Sequence, residues 1–197
     1  TINESLENFK SINLSIIFLI MTPLKDLRIL DFSTLLPGPF ATMVLGDLGA
    51  DIVRVEAPDR PDLLREHNPA GHRTINRNKR SIIIDLKKVG AKDFVIDALL
   101  PHFDILVEQF RPGVMKRLGL DYESLSQDFP KLIYCSISGY GQKGNYKSRA
   151  AHDLNLIARI GMASYGSQSD LSPEIPSNQW ADLGGGSMYA MVAILSA

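Results

Sequence analysis

The sequence predicts an α/β domain on a mostly parallel, Rossmann-like sheet. Residues 27–56 read as a βαβ unit, and strand-like and helix-like apolar runs go on alternating downstream. With 197 residues, 45% hydrophobic and 22% charged, the chain is long enough and apolar enough to bury a core around such a sheet.

The elements follow in order. Leu27 to Phe32 is a short β-like run, and Leu36-Pro37-Gly38-Pro39 is a turn. Phe40 to Leu48 then carries Phe40, Met43, Val44 and Leu48 at helical spacing, and Gly49 closes that helix. Asp51 to Glu56 buries Ile52, Val53 and Val55 as the second strand, which makes the first pair parallel. Ser81 to Leu86 reads as a strand, Lys88 to Leu100 as a helix, and Asp104 to Val107 and Leu132 to Ser138 as further strands. Ser187 to Ala197 reads as an apolar helix still running where the sequence stops, so the expectation is that residues 21–197 are the first part of a larger domain. Ligands of such a sheet bind beyond the carboxyl ends of its strands.

At the other end, Asn13 to Met21 is an apolar run too short to span a bilayer, and it lacks the charge pattern and cleavage site of a signal peptide. Residues 1–20 are expected to form an extension outside the fold, and no membrane partner is expected. A formal net charge of −1 and the lack of a basic run with interleaved aromatics argue against nucleic acid. The single cysteine, Cys135, lies in an apolar run and can form no intrachain disulfide. It reads as a small buried hydrophobe in a reducing compartment: the cytoplasm, with mitochondrial or peroxisomal residence left open.

Negative signals narrow the chemistry. His67, His72, His102 and His152 fit no zinc spacing, so no metal is expected. The first βα turn has Pro37-Gly38-Pro39 rather than a dinucleotide fingerprint, and Ser138-Gly139-Tyr140-Gly141 lacks the order of a nucleophile elbow. Arg73, Asn76, Arg77, Lys79 and Arg80 form a donor-rich stretch that reads either as a solvated loop or as a phosphate clamp. Phe110-Arg111-Pro112 offers a ring and a guanidinium together, or else the first turn of a helix.

The candidate catalytic pair is His152 and Asp182. Each precedes an apolar run with helical spacing, and so each is expected on a loop that opens a helix. Gly184, Gly185 and Gly186 have no side chains to hold a ligand away from the freed N–H groups, an arrangement suited to a thioester oxygen that gains negative charge. On residue type alone, the commoner reading is Asp182 as a helix cap and His152 as a surface histidine, since caps and turns outnumber active sites.

Pro37 to Ala41, Leu45 to Asp51, Asn78 to Ser81, Phe110 to Val114, Arg117 to Leu120, Ser138 to Gln142 and Ala151 to Asn155 occur in one register. Over roughly residues 23–197 this series resembles the class III CoA-transferase family, and within it the α-methylacyl-CoA racemase branch. The resemblance implies a large α/β domain, a smaller second domain beyond Ala197, and an interlocked homodimer. It implies an acyl-CoA substrate and no prosthetic group. It gives Asp182 the catalytic carboxylate, a proton carrier in the racemase branch and an acyl-carrying nucleophile in the transferase branch. His152, in Ala151-His152-Asp153, favours the racemase branch, since formyl-CoA transferases have a tyrosine near that position. For CoA, the resemblance implies that Ile84, Asp85, Leu86 and Lys87 frame the adenine and that Phe110, Arg111 and Arg117 hold the nucleotide. Ala151, Asp153, Leu154, Asn155 and Leu156 would line the thioester end. Ala57 stands where the racemases have a phosphate-binding arginine, so Lys79, Arg80 or another cation would have to replace it; Leu156 stands where they have a tyrosine. A further family carboxylate would lie beyond Ala197, which leaves an inactive fragment as a third reading.

Overall fold

A computed structural model describes residues 22–165, 172–173 and 175–197. The expected N-terminal extension, residues 1–20, lies outside the described residues. The sheet contains β1 (Arg28–Asp31), β2 (Asp51–Glu56), β3 (Lys79–Ile83), β4 (Ile105–Glu108) and β5 (Ile133–Ser136), all parallel, in the order β3-β2-β1-β4-β5.

Period-two side chains explain why both faces are covered. Ile29, Ile52, Ile105 and Val107 point to one face, where they pack with Ala41 and Leu45 of α1 (Pro37–Asp47) and Met191 and Ile194 of α8 (Met188–Ser196). Leu30, Val55 and Leu106 point to the other, among Val95, Leu100, Met115, Leu120 and Leu125. That face is covered by α4 (Ala91–Asp93), which runs on through a π-helical stretch (Phe94–Leu99) and a 3-10 turn (Leu100–His102), and by α5 (Val114–Leu118) and α6 (Tyr122–Leu125).

Several boundaries differ from expectation, among them the third strand, which starts at Lys79 rather than Ser81, and the helix after it, which starts at Ala91 rather than Lys88. The helix placed at Phe40 begins at Pro37, because a first turn has no intrahelical acceptors for its N–H groups and loses nothing to Pro37 and Pro39. The last helix is preceded by a π-helical stretch, Trp180–Ser187. The polar segment between β2 and β3 holds two short helices, α2 (Leu63–His67) and α3 (Pro69–Ile75). Asp62 caps the first by accepting from Leu64 N–H at 3.0 Å, and Asn68 caps the second by accepting from Gly71 N–H at 2.9 Å.

The donor-rich stretch is not arranged as an open phosphate clamp, because three of its four cations, all but exposed Arg73, already have partners. Arg77 pairs with Asp47, and Arg80 Nη2 reaches both oxygens of Asp51 at 2.8 and 2.6 Å. Lys79, with 2% of its side chain exposed, donates to the Pro39 carbonyl at 2.8 Å and lies 3.5 Å from buried Asp31. Burial drives the Lys79 ammonium below its ordinary value, while Asp31 opposes the shift. Lys79 is therefore not free to act as the replacement cation that the resemblance asks for, while Arg80 is held only by an exposed surface pair.

Candidate active site

β1 and β4 are neighbours in the sheet, and the chain leaves them toward β2 and β5 on opposite sides. Their exit loops therefore part, which makes a crevice at the carboxyl ends of the strands. Thr34 to Pro37 after β1, Gln109 to Pro112 after β4 and Ile137 to Tyr140 after β5 line a cleft of about 1310 Å³ there. The start of α7 (Asp153–Arg159) and the π-helical stretch form its other wall.

Two close approaches shape the floor. A Cβ on Gly38 would overlap the Ser33 side chain, and its N–H is taken by Gln109 Oε1 at 2.8 Å. The start of α1 is thus closed to a dinucleotide pyrophosphate, in line with the missing fingerprint. A Cβ on Gly139 would come within 2.6 Å of Ala151 Cβ, so glycine lets the β5 exit lie against the start of α7.

His152 is the N-cap of α7, in extended conformation, and its N–H donates to Asn155 Oδ1 at 3.2 Å. Asp182 lies in the first turn of the π-helical stretch, not ahead of it; the N-cap there is Gln179. The reason is a cap supplied from elsewhere. Asp153 Oδ1 accepts the N–H groups of Ala181 and Asp182 at 2.7 and 2.8 Å, and Leu183 N–H goes to the Gln179 carbonyl at 3.1 Å. The N–H groups of residues 181–183 are therefore occupied rather than free for a substrate oxygen. At the far end, the Ser187 hydroxyl lies 2.7 Å from the Pro37 carbonyl and 3.1 Å from that of Asp182, fastening the stretch to α1. Gly186 packs close to Pro37, whereas the Cβ positions of Gly184 and Gly185 have nothing nearer than 4.0 and 3.8 Å and leave the cleft wall open.

His152 and Asp182 both line the cleft. Burial raises the Asp182 carboxyl above the ordinary carboxylate range, the Asp153 charge raises it further, and His152 draws it down. A carboxyl shifted this way is a better proton carrier near neutral pH than an exposed one.

The cleft is also cationic. Arg111, Lys147, Arg149 and Arg159 line it, and among the described residues no carboxylate lies within ion-pair distance of any of them. Tyr146 organises two of these: the Arg149 and Arg159 guanidiniums lie 4.5 and 3.6 Å from its ring centroid, while Tyr140 packs against it at 5.7 Å.

The other residues expected at the site divide. Phe110, Arg111, Ala151 and Leu156 line the cleft with His152 and Asp182. Ile84 is packed in the core beside Val55, Leu86 packs against the same cluster, the Asp85 carboxylate accepts Lys87 N–H, and the Lys87 ammonium pairs with Asp59. Arg117 is exposed on α5, Asn155 caps His152, and Leu154 borders a separate shallow hollow. Sequence reasoning did not find Gln109, Lys147, Arg149, Arg159 or the Asp153 cap. Gln109, Arg159 and the Asp153 cap act on residues distant in sequence, which no local pattern shows.

A family description, CoA-transferase family III, matches residues 24–197. The chain belongs to CoA-transferase family III. The family's solved structures share the fold: a CAIB/BAIF family protein from Brucella suis superposes with a TM-score of 0.82 at 34% identity, covering 89% of this chain and 48% of that one. Curated family members carry two kinds of name. Succinyl-CoA:glutarate CoA-transferase of Mus musculus is 38% identical over 184 residues, 89% of this chain and 42% of the relative. Alpha-methylacyl-CoA racemase of Homo sapiens is 39% identical over 176 residues, 88% of this chain and 43% of the relative. The chain thus spans less than half the length of these relatives.

Proposed function

We propose that the protein inverts the α-carbon of a 2-methylacyl-CoA thioester. The observation that carries this reading is the pairing of His152 and Asp182 in one cleft, on two separate elements, with the Asp182 carboxyl raised by burial and coupled to His152. One of the pair removes the α-proton as the electron pair moves into the thioester carbonyl to give an enolate. The other returns a proton to the opposite face, so the product differs from the substrate only in configuration. CoA enters as part of the substrate, its phosphates drawn to Arg111, Lys147, Arg149 and Arg159, and the reaction needs no prosthetic group. The working form is a homodimer.

A second reading has two observations in its favour. The transferase-named relatives match as well as the racemase-named ones, and Gly184 and Gly185 line the cleft close to Asp182 in sequence with no side chain to fill it. Here the Asp182 carboxylate attacks the thioester carbonyl and expels CoA thiolate, leaving a mixed anhydride. The thiolate then attacks the aspartyl carbonyl, releases the first acid and forms an Asp182 thioester, from which a second carboxylate takes CoA by the same two steps in reverse. Incubating the protein with an acyl-CoA and hydroxylamine separates the two. The racemase reading expects Asp182 to stay unmodified, and the transferase reading expects a hydroxamate on it.

A further inference from the structure

We propose that Asp153 is a positioning residue that holds Asp182 in place and sets its distance from His152. This rests on the reading of Asp182 as the reacting carboxylate. The π-helical stretch carrying Asp182 is poorly made for holding a side chain still: it contains Gly184, Gly185 and Gly186, and its own N-cap, Gln179, makes no side-chain cap. A single oxygen of Asp153, 29 positions back in sequence from Asp182, supplies what is missing by accepting both Ala181 and Asp182 N–H. A negative charge is also the favoured partner for the exposed N–H groups at a helix start.

The covalent link makes this contact more than a cap. His152 is joined directly to Asp153, so the carboxylate that anchors Asp182 fixes both halves of the candidate pair to one point, the first turn of α7. The resemblance put Asp153 at the thioester end; its Oδ1 points at the backbone of the facing wall.

The charge environment of Asp182 is simple. Asp153 and His152 act on it from the α7 side. The only ionisable side chain of α1, Asp47, is paired with Arg77 at the far end of that helix, and α8 has only Tyr189. Arg159, at the end of α7, is stacked on Tyr146. Removing the Asp153 charge therefore has a predictable direction.

Asp153→Asn keeps an oxygen able to accept both N–H groups but loses the charge, whereas Asp153→Ala loses both. In the purified protein, the carbon-13 carboxyl signal of Asp182, assigned with Asp182→Asn, should titrate at lower pH in Asp153→Asn than in the wild type. The acid limb of the rate profile should move the same way. Asp153→Ala should lower kcat about 100-fold with KM changed less than about threefold, as expected for a misplaced reacting group. It should also speed amide hydrogen exchange at Ala181 and Asp182. Should the alanine variant not fold, the titration of the asparagine variant decides alone. An unmoved Asp182 titration, or unchanged exchange at Ala181 and Asp182 in a folded alanine variant, would overturn the proposal. Full turnover by Asp182→Asn would instead overturn the catalytic reading of Asp182, and the exchange experiment still judges the anchor independently.

Discussion

Arg54 Nη2 on β2 donates to Asp62 Oδ2 at 2.5 Å, and that same oxygen accepts the N–H of Leu35 at 3.1 Å. Leu35 lines the cleft with φ at +62°, a conformation that leucine adopts only when its surroundings hold it there. The ion pair is buried, with 3% and 0% of the two side chains exposed, and Arg54 Nη1 also meets His72 Nε2 at 2.9 Å. Burial and the Arg54 charge hold His72 below the ordinary histidine value, which suits the neutral ring as acceptor. One buried cluster therefore ties α2 and α3 to the sheet and shapes the first loop of the cleft.

Asp62→Ala should be severe. It takes from the buried Arg54 guanidinium its close carboxylate partner, leaving only the Glu56 carboxylate at 3.7 Å among the described residues, and frees Leu35, at a cost of about 3–5 kcal/mol. Urea unfolding should show a lower midpoint with an unchanged slope. A midpoint equal to that of the wild type would mean that the cluster is not buried in solution.

Asp182→Asn should stabilise the protein while removing its activity. The folded state raises the Asp182 carboxyl, so it binds the proton more tightly than the unfolded chain does. That group therefore costs stability as pH rises from the ordinary carboxylate value through the raised one. Because the carboxyl is only half-buried, the gain at pH 7 should be modest, about 2 °C in Tm, shrinking toward pH 4. A gain that grew on acidification would contradict the sign of the shift.

Arg149→Gln and Arg159→Gln each remove a cleft cation that has no carboxylate partner among the described residues. Each should raise KM for an acyl-CoA about tenfold and leave kcat unchanged, a loss in the range of one charge-assisted contact. The difference from wild type should narrow at high salt. Equal KM values at low salt would place the nucleotide elsewhere.

Cys135 should resist alkylation. Burial, followed by the nearby Glu108, pushes its thiol up to about 11. Labelling by iodoacetamide should be very slow at pH 8 and rise with pH toward that value, and rapid labelling at pH 7 would refute it.

The sheet was legible because β1, β2 and β4 carry their own evidence: short apolar runs, Ile29-Leu30, Ile52-Val53 and Ile105 to Val107, of the kind parallel strands covered on both faces require. The cleft was legible to the extent that Phe110, Arg111, His152 and Asp182 sit in short motifs just beyond strands or at helix starts. Two signals were present but went unread. Asp62 before Leu63-Leu64 and Asn68 before Pro69 are N-cap patterns, hidden by the high charge of that segment. What stayed illegible is long-range. Nothing local to Asp153 shows that its carboxylate serves Ala181 and Asp182, and nothing local to Lys79 shows that Asp31 buries it.

The most direct measurement is deuterium incorporation at the α-carbon of a 2-methylacyl-CoA in heavy water, followed for the wild type, His152→Ala and Asp182→Asn. The racemase reading predicts exchange with formation of both epimers by the wild type and a loss of at least about 100-fold in each variant. No exchange by the folded wild type, with CoA passing instead to an added dicarboxylate, would contradict it and make Asp182 the nucleophile of a transferase.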